Sequence, residues 1–109
     1  MSARRMLPVV VAPPAAFEIL DAAAAYEATR PGLGRAFLEE IRAVRIRIEE
    51  HPESCPVVHS HGGLRRALVH RFPFGVIYRV TDDAIQILAV LATRADPIKI
   101  TVRAGSGMA

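Results

Sequence analysis

Residues 84–92, AIQILAVLA, constrain the fold more than any other stretch. Ile85, Ile87, Leu88, Val90 and Leu91 are apolar on both parities of an extended chain. Successive side chains of a strand point to opposite faces. Such a strand therefore belongs inside a sheet, covered on both faces. The chain has 109 residues, a common size for one domain. One domain must supply both the neighbouring strands and the covering layer.

The neighbours are legible upstream. Leu64–Phe72 and Phe74–Val80 read as two more strands, with Pro73 at a bend between them. Thr81-Asp82-Asp83 is the hairpin turn into the last strand. Phe74, Val76, Tyr78 and Val80 share one face; Gly75, Ile77 and Arg79 share the other. Residues 7–12, LPVVVA, form a short β-branched run stopped by Pro13-Pro14. It reads as a first strand, and Pro8 suits its beginning or a sheet edge.

The covering layer comes from two helical stretches. AAFEILDAAAAYEATR is alanine-rich and predicts a helix from about 14 to 29, with Pro14 in its first turn. Phe17, Ile19, Leu20, Ala23, Ala24 and Tyr26 fall on one broad arc, opposite Glu18, Asp21 and Thr29. Arg30-Pro31-Gly32 ends it. A second helix, 33–50, then folds back as a helix hairpin. Leu33, Phe37, Ile41, Val44 and Ile48 are its buried stripe, and His51-Pro52 stops it. Ile46 is out of place, projecting onto the charged face beside Arg35, Glu39 and Arg42. Residues 52–63, PESCPVVHSHGG, read as a loop. The order is β-α-α-β-β-β: an α+β fold with the helix hairpin packed on a twisted, mostly antiparallel sheet. Residues 1–109 make a single domain with its core in about 7–97. Residues 98–109 are a C-terminal extension or short edge strand.

The net charge is +3, and Lys99 is the only lysine. Arg65, Arg66, Arg71 and Arg79 are set among apolar residues, and from Gly63 no acid appears until Asp82. Arginine binds carboxylate and phosphate through planar, bidentate bonds. Such a set suits an acidic partner or a phosphate backbone. Strand parity puts Arg65 and Arg71 on one face and Arg66 on the other. A helix hairpin covers one face, which leaves the opposite face free for a partner. The single cysteine, Cys55, cannot form an internal disulfide, which fits a cytoplasmic location. No apolar run approaches the ~18 residues of a membrane span. The opening MSARRMLPVVVAPPAA places Arg4 and Arg5 before an apolar run. That run is short and broken by Pro8, Pro13 and Pro14, so it does not read as a secretion signal.

Chemistry is harder to find. Cys55, His59 and His61 lie close in sequence, but their spacing matches no closed four-ligand zinc site, so no metal or other cofactor is expected. Ser54, Ser60 and Cys55 have no strand–turn–helix elbow or oriented acid around them. Cleavage of a phosphodiester needs a base, an acid and cations. The arginines supply cations; His59, His61, His70 and Tyr78 are the acid–base candidates. By strand parity His70 shares a face with Leu68 and Phe72, equally the position of a half-buried histidine. No histidine or tyrosine follows Tyr78.

Several pieces in order carry a resemblance: Arg30-Pro31-Gly32-Leu33-Gly34, Gly63-Leu64-Arg65-Arg66, Arg71-Phe72-Pro73-Phe74, Tyr78-Arg79-Val80 and Arg94-Ala95-Asp96-Pro97. Over about residues 7–97 the chain resembles the RelE/ParE superfamily of type II toxin–antitoxin toxins, and most closely the ParE branch. The resemblance implies a helix hairpin against an antiparallel sheet. It also implies a ParD-like antitoxin whose C-terminal segment wraps the toxin. ParE-like members poison DNA gyrase; RelE-like members cleave mRNA in the ribosome. In the closing His-x-Arg-Arg-Asp-Pro pattern this chain has Ala92 for the histidine and Ala95 for the second arginine, which counts against the nuclease. The expectation is a gyrase-inhibiting, growth-arresting toxin that is not an enzyme and does not itself read DNA sequence. Arg65, Arg66, Arg71, Arg79 and Arg94 are its target-binding residues. Ile46, Arg42, Arg35, Arg71 and Arg79 are its antitoxin contacts. The alternatives are a ribonuclease using Arg65, Arg71, Arg79 and His70, and a decayed toxin that only binds antitoxin.

Overall fold

In the computed structural model, which describes residues 6–93, seven elements follow one another. They are β1 (Val9–Val11), α1 (Pro13–Thr29), α2 (Leu33–Glu50), β2 (Val57–His59), β3 (Leu64–Leu68), β4 (Phe74–Val80) and β5 (Ile85–Ala92). The strands form one sheet in the order β1-β5-β4-β3-β2. β1 is parallel to β5, and the other neighbours are antiparallel. The helices pack on each other, α1 against β5 and α2 against β3. This is the expected α+β architecture with one strand more. β2 lies in the stretch read as a loop. Two of its three residues pair, Val57 with Arg65 and His59 with Leu64, across a register slip, too short a ladder to show alternation.

β5 is an interior strand, between β1 and β4. Its apolar residues on both parities have two causes. The β4–β5 register shifts between Ile77 and Tyr78: Ile77 faces Ala89, and Tyr78 faces Ile87. Leu88 is the extra residue, so this is a β-bulge that exchanges the faces of the residues beyond it. Ile85, Ile87 and Val90 thus all join the helix-side core. Leu88 and Ala89 fall instead in a separate buried cluster with Leu64 and Ile77. The face away from the helices is therefore not bare: β5 is covered on both faces, as its apolar residues on both parities predict, and that face is not left wholly free as the helix hairpin alone would leave it.

The helix-side core contains Ala15, Ala22 and Ala23 of α1 and Phe37, Val44 and Ile48 of α2. The stripe predicted for α2 holds, with Leu33 and Ile41 partly buried at its margin. The arc predicted for α1 does not. Phe17 and Leu20 are 70% and 65% exposed. An arc that wide exceeds what one neighbouring helix and one strand cover. Glu18, expected among the solvated residues, is half-buried. Its Oε1 accepts a 2.9 Å hydrogen bond from the Val90 backbone N–H. β1 pairs only with Ile85–Ile87. The Glu18 carboxylate takes the place of a strand partner further along β5, because a buried backbone donor needs an acceptor.

The helix joint is built from Glu27, Gly32 and Gly34. Gly32 has φ +90°, where a Cβ is disfavoured, and as the N-cap of α2 it has no side chain to offer. Glu27 supplies the cap from the other helix. Its carboxylate accepts from Gly32 N and Gly34 N, at 3.1 Å each. Gly34 is where the helices touch: a Cβ there would lie 2.6 Å from Ala23 O.

The strand expected over Leu64–Phe72 stops at Leu68. Residues 69–73 form the β3–β4 turn, closed by Val69 N to Phe74 O at 2.9 Å and Phe74 N to Phe72 O at 2.8 Å. Phe72 turns inward from it and meets Tyr26 and Phe37 with ring centroids 4.8 and 5.3 Å away. The burial of Phe72 made the turn look like more strand.

Candidate functional site

The four sheet arginines are not equivalent. Arg65 stands opposite Tyr78 in the β3–β4 ladder, and Arg66 opposite Ile77, so they are on opposite faces as predicted. Arg65 Nη1 donates to Cys55 O at 2.6 Å and Glu53 O at 3.1 Å. It pins the segment after α2 to β3. Arg79 Nε donates to Gln86 Oε1 at 2.7 Å, a cross-strand bond to β5. Arg66 lies across Gly75, where a Cβ would be 2.8 Å from its Cδ. Arg71 belongs to no strand face: it is exposed on the turn, with φ +74°, its guanidinium carbon 5.4 Å from the Phe72 ring centroid. Arg94 lies outside the described residues, as do residues 98–109. A fifth arginine went unnoticed in the sequence. Arg47 donates from Nη2 to Leu68 O at 2.8 Å and ties α2 to the end of β3.

The proposed proton carriers are divided between the core, the β3–β4 turn and the β2–β3 turn. Tyr78 is fully buried, and its hydroxyl donates to Pro52 O at 2.7 Å. Burial above all, then its contact with Cys55, holds this phenol well above the usual range; Arg65 and Arg47 pull weakly the other way. It stays neutral at any physiological pH and has no open path to a substrate. His70 is exposed on the β3–β4 turn, not half-buried on a strand, because the strand has ended at Leu68. His59 and His61 face each other near the β2–β3 turn with centroids 6.2 Å apart, and His59 Nδ1 lies 3.2 Å from His61 O. Among the described residues, no group of three or more His, Cys, Asp or Glu is placed to hold a metal ion. None of their helices is long and apolar enough to cross a membrane.

α2 presents a second surface. Ile46 is 45% exposed, as its position on the helix wheel predicts. It lines a shallow depression of about 450 Å³ with Leu38, Ile41, Arg42, Arg45 and Glu49. Ile41 and Arg45 also line an apolar crevice of about 70 Å³ that reaches Val11, Val76, Ile87 and Val90 in the core. Arg35 is exposed on the same helix. Leu38 and Arg45 were missed at the sequence level. The spacing 38, 41, 42, 45, 46, 49 was the available signal, since residues three and four apart share a helix face.

A helix hairpin on a mixed sheet, with arginines on the strands and an apolar, arginine-edged hollow on a helix, defines a small α+β domain equipped for binding. The model of one family, described as the ParE toxin of the type II toxin–antitoxin system parDE, matches residues 9–97. The chain belongs to this family of ParE toxins. Among solved structures it is similar to a chain of the chromosomal ParDE toxin–antitoxin system from P. aeruginosa. The TM-score is 0.71 at 19% identity, covering 80% of this chain and 96% of that one. At that identity the likeness speaks for the fold. No curated protein matches the sequence.

Proposed function

We propose that this toxin arrests growth in the cytoplasm by inhibiting DNA gyrase, and that a ParD-like antitoxin neutralises it by occupying the α2 hollow. The observation that carries the antitoxin site is the composition of that hollow. Leu38, Ile41 and Ile46 offer apolar anchors, and Arg42 and Arg45 flank them, with Glu49 the one acid in the lining. An amphipathic segment with carboxylates beside its apolar residues complements both features. Arg35 extends the basic rim. Ordering of such a segment on contact follows from coupled folding and binding.

Gyrase is preferred to mRNA because the ribonuclease reading needs Arg65, Arg71, Arg79 and His70 to act together. Arg65 and Arg79 are engaged in structural hydrogen bonds, and Tyr78 is sealed in the core. Cleavage needs a base, an acid and cations together at the scissile group, and of that set only His70 and Arg71 share a place, the β3–β4 turn. Arg66 and Arg71 remain the target-facing residues, Arg66 on β3 and Arg71 on the turn that follows it; Arg65 and Arg79 support that surface through their bonds to Cys55 O and Gln86 Oε1.

Induction of the chain without its antitoxin tests the reading. Loss of supercoiling activity in purified gyrase, with filamentation and intact mRNA, is the expected result. Rapid mRNA cuts with unimpaired gyrase would mean a ribonuclease, and no growth effect a toxin that only binds antitoxin. Ile46→Glu places a carboxylate among the apolar anchors and beside the predicted acidic segment. It should weaken antitoxin binding at least about tenfold by calorimetry, a change of about 1.4 kcal/mol, and leave growth arrest intact.

A further inference from the structure

The β3–β4 turn carries a feature that neither the fold nor the antitoxin hollow accounts for. Arg71 has φ +74°, and it is the one non-glycine described residue in the left-handed region. Side chains with a Cβ are disfavoured there, and glycine or asparagine is the usual occupant of an exposed turn of this kind. Gly62 and Gly63, in the preceding turn, meet the same demand with glycine. Backbone strain held in place by its surroundings points to use of the side chain.

The surroundings do hold it. The turn is closed by Val69 N to Phe74 O, and Thr93 N donates to Pro73 O at 3.1 Å on the far side. Arg47 fixes the carbonyl of Leu68. Phe72 is sunk in the aromatic core and supports the Arg71 guanidinium from below. Around this fixed cation the surface is mixed. Leu68 is 55% exposed, His70 and Pro73 are exposed, and Pro73, Phe74, Ala92 and Thr93 line a hollow of about 240 Å³. No aspartate or glutamate occurs between Glu53 and Asp82.

We infer that the β3–β4 turn is the surface that docks the toxin's target, and that Arg71 receives a carboxylate there from an acidic, partly apolar protein surface. This rests on the growth-arrest reading above. Arginine is among the residues enriched at protein–protein contact centres, and exposed Leu68 and Pro73 add apolar surface beside Arg71. Nucleic acid is the poorer fit, because affinity for a phosphate backbone comes from several cations acting together. Arg47, Arg65 and Arg79 are already committed to Leu68 O, to Cys55 O and Glu53 O, and to Gln86. Arg71 is not in the lining of the α2 hollow, so in this inference it is a target contact and not the antitoxin contact expected from the sequence. Target and antitoxin then use different surfaces, and single substitutions separate them.

Arg71→Gly is the discriminating variant, because it removes the side chain and frees the backbone. Growth arrest on induction, the thermal midpoint, and calorimetric affinity for the cognate antitoxin are measured for wild type and variant. The expected result is at least a tenfold loss of growth arrest, a midpoint equal to or above wild type, and antitoxin affinity within twofold. Arg71→Lys should recover only part of the activity, since it keeps the charge and loses the planar fork. An Arg71→Gly protein that arrests growth fully overturns the inference and leaves the toxin reading standing. Equal loss of antitoxin affinity also overturns it. So does salt-sensitive binding of duplex DNA or single-stranded RNA by the wild type that Arg71→Gly abolishes, because the occupant is then nucleic acid. Growth arrest that spares gyrase but requires Arg71 refutes the gyrase assignment and supports the docking surface. A wild-type chain without any growth effect overturns both.

Discussion

The helix joint and the β3–β4 turn both ask the backbone to enter the left-handed region, and the chain answers differently. At the joint the residue is Gly32, with φ +90°. A carboxylate from the preceding helix caps it, and Gly34 admits the partner backbone. Every feature there serves stability. At the turn the residue is Arg71, with φ +74°, exposed and stacked over Phe72. Glycine would satisfy the backbone better. The joint agrees with the global fold at each level, whereas the turn contains a local conflict, which is the pattern expected where function intervenes.

The contrast breaks most easily at Gly34. Gly34→Ala places a methyl group 2.6 Å from the Ala23 carbonyl, and that neighbour is backbone, not a movable side-chain end. The helices must separate, so the expected loss is about 3 kcal/mol, at the upper end of the range for overpacking. Urea unfolding measures it; a loss below about 1 kcal/mol would mean that the hairpin is not tightly joined. Glu27→Ala comes next. It removes the acceptor for Gly32 N and Gly34 N and a negative charge at the start of α2. About 1–2 kcal/mol should be lost, and Glu27→Gln should lose less than Glu27→Ala.

Tyr78 gives a pH-dependent comparison. Its folded-state pKa is raised above the ordinary phenol value, chiefly by burial. The unfolded chain therefore releases this proton first. Its contribution is fully present below about pH 10 and declines as pH rises further. In wild type, unfolding free energy should fall with pH above about 10, and Tyr78→Phe should flatten that slope. Equal slopes would show that other groups drive alkaline unfolding. The smallest stability effect belongs to Arg71→Gly, a gain of up to about 1 kcal/mol. A clear loss instead would place Arg71 with Gly32 and Gly34 as a residue kept for the fold.

Much of this architecture is readable in the chain. α2 begins and ends where its stripe, Pro31-Gly32 and His51-Pro52 predict. β4 and the parity of Arg65 and Arg66 also follow from sequence. The failures have specific causes. Phe72 is buried from a turn, so its hydrophobicity extended the predicted strand past Leu68 and carried His70 with it. β2 is too short to alternate. Phe17 and Leu20 look like core residues because α1 is apolar around most of its circumference, and only the packing of α2 and β5 decides which part is covered. The arginine set was visible as composition, but not its division into Arg65, Arg47 and Arg79, which hold the structure, and Arg71, which is left to solvent.

By itself, then, the sequence determined the helix hairpin, an interior strand at 85–92 and a basic set of strand and turn residues. Those follow from local rules: periodicity, proline and glycine stops, and the absence of acids between Glu53 and Asp82. Tertiary structure decided the rest. The bulge at Leu88 sets which β5 residues face the helices. Glu18 completes β5 where β1 has ended, and Glu27 caps a helix it does not belong to. Each of these is a bond or contact between residues distant along the chain or set by strand register. No window of sequence contains both partners' geometry, and so their roles appear only once the helices lie on the sheet.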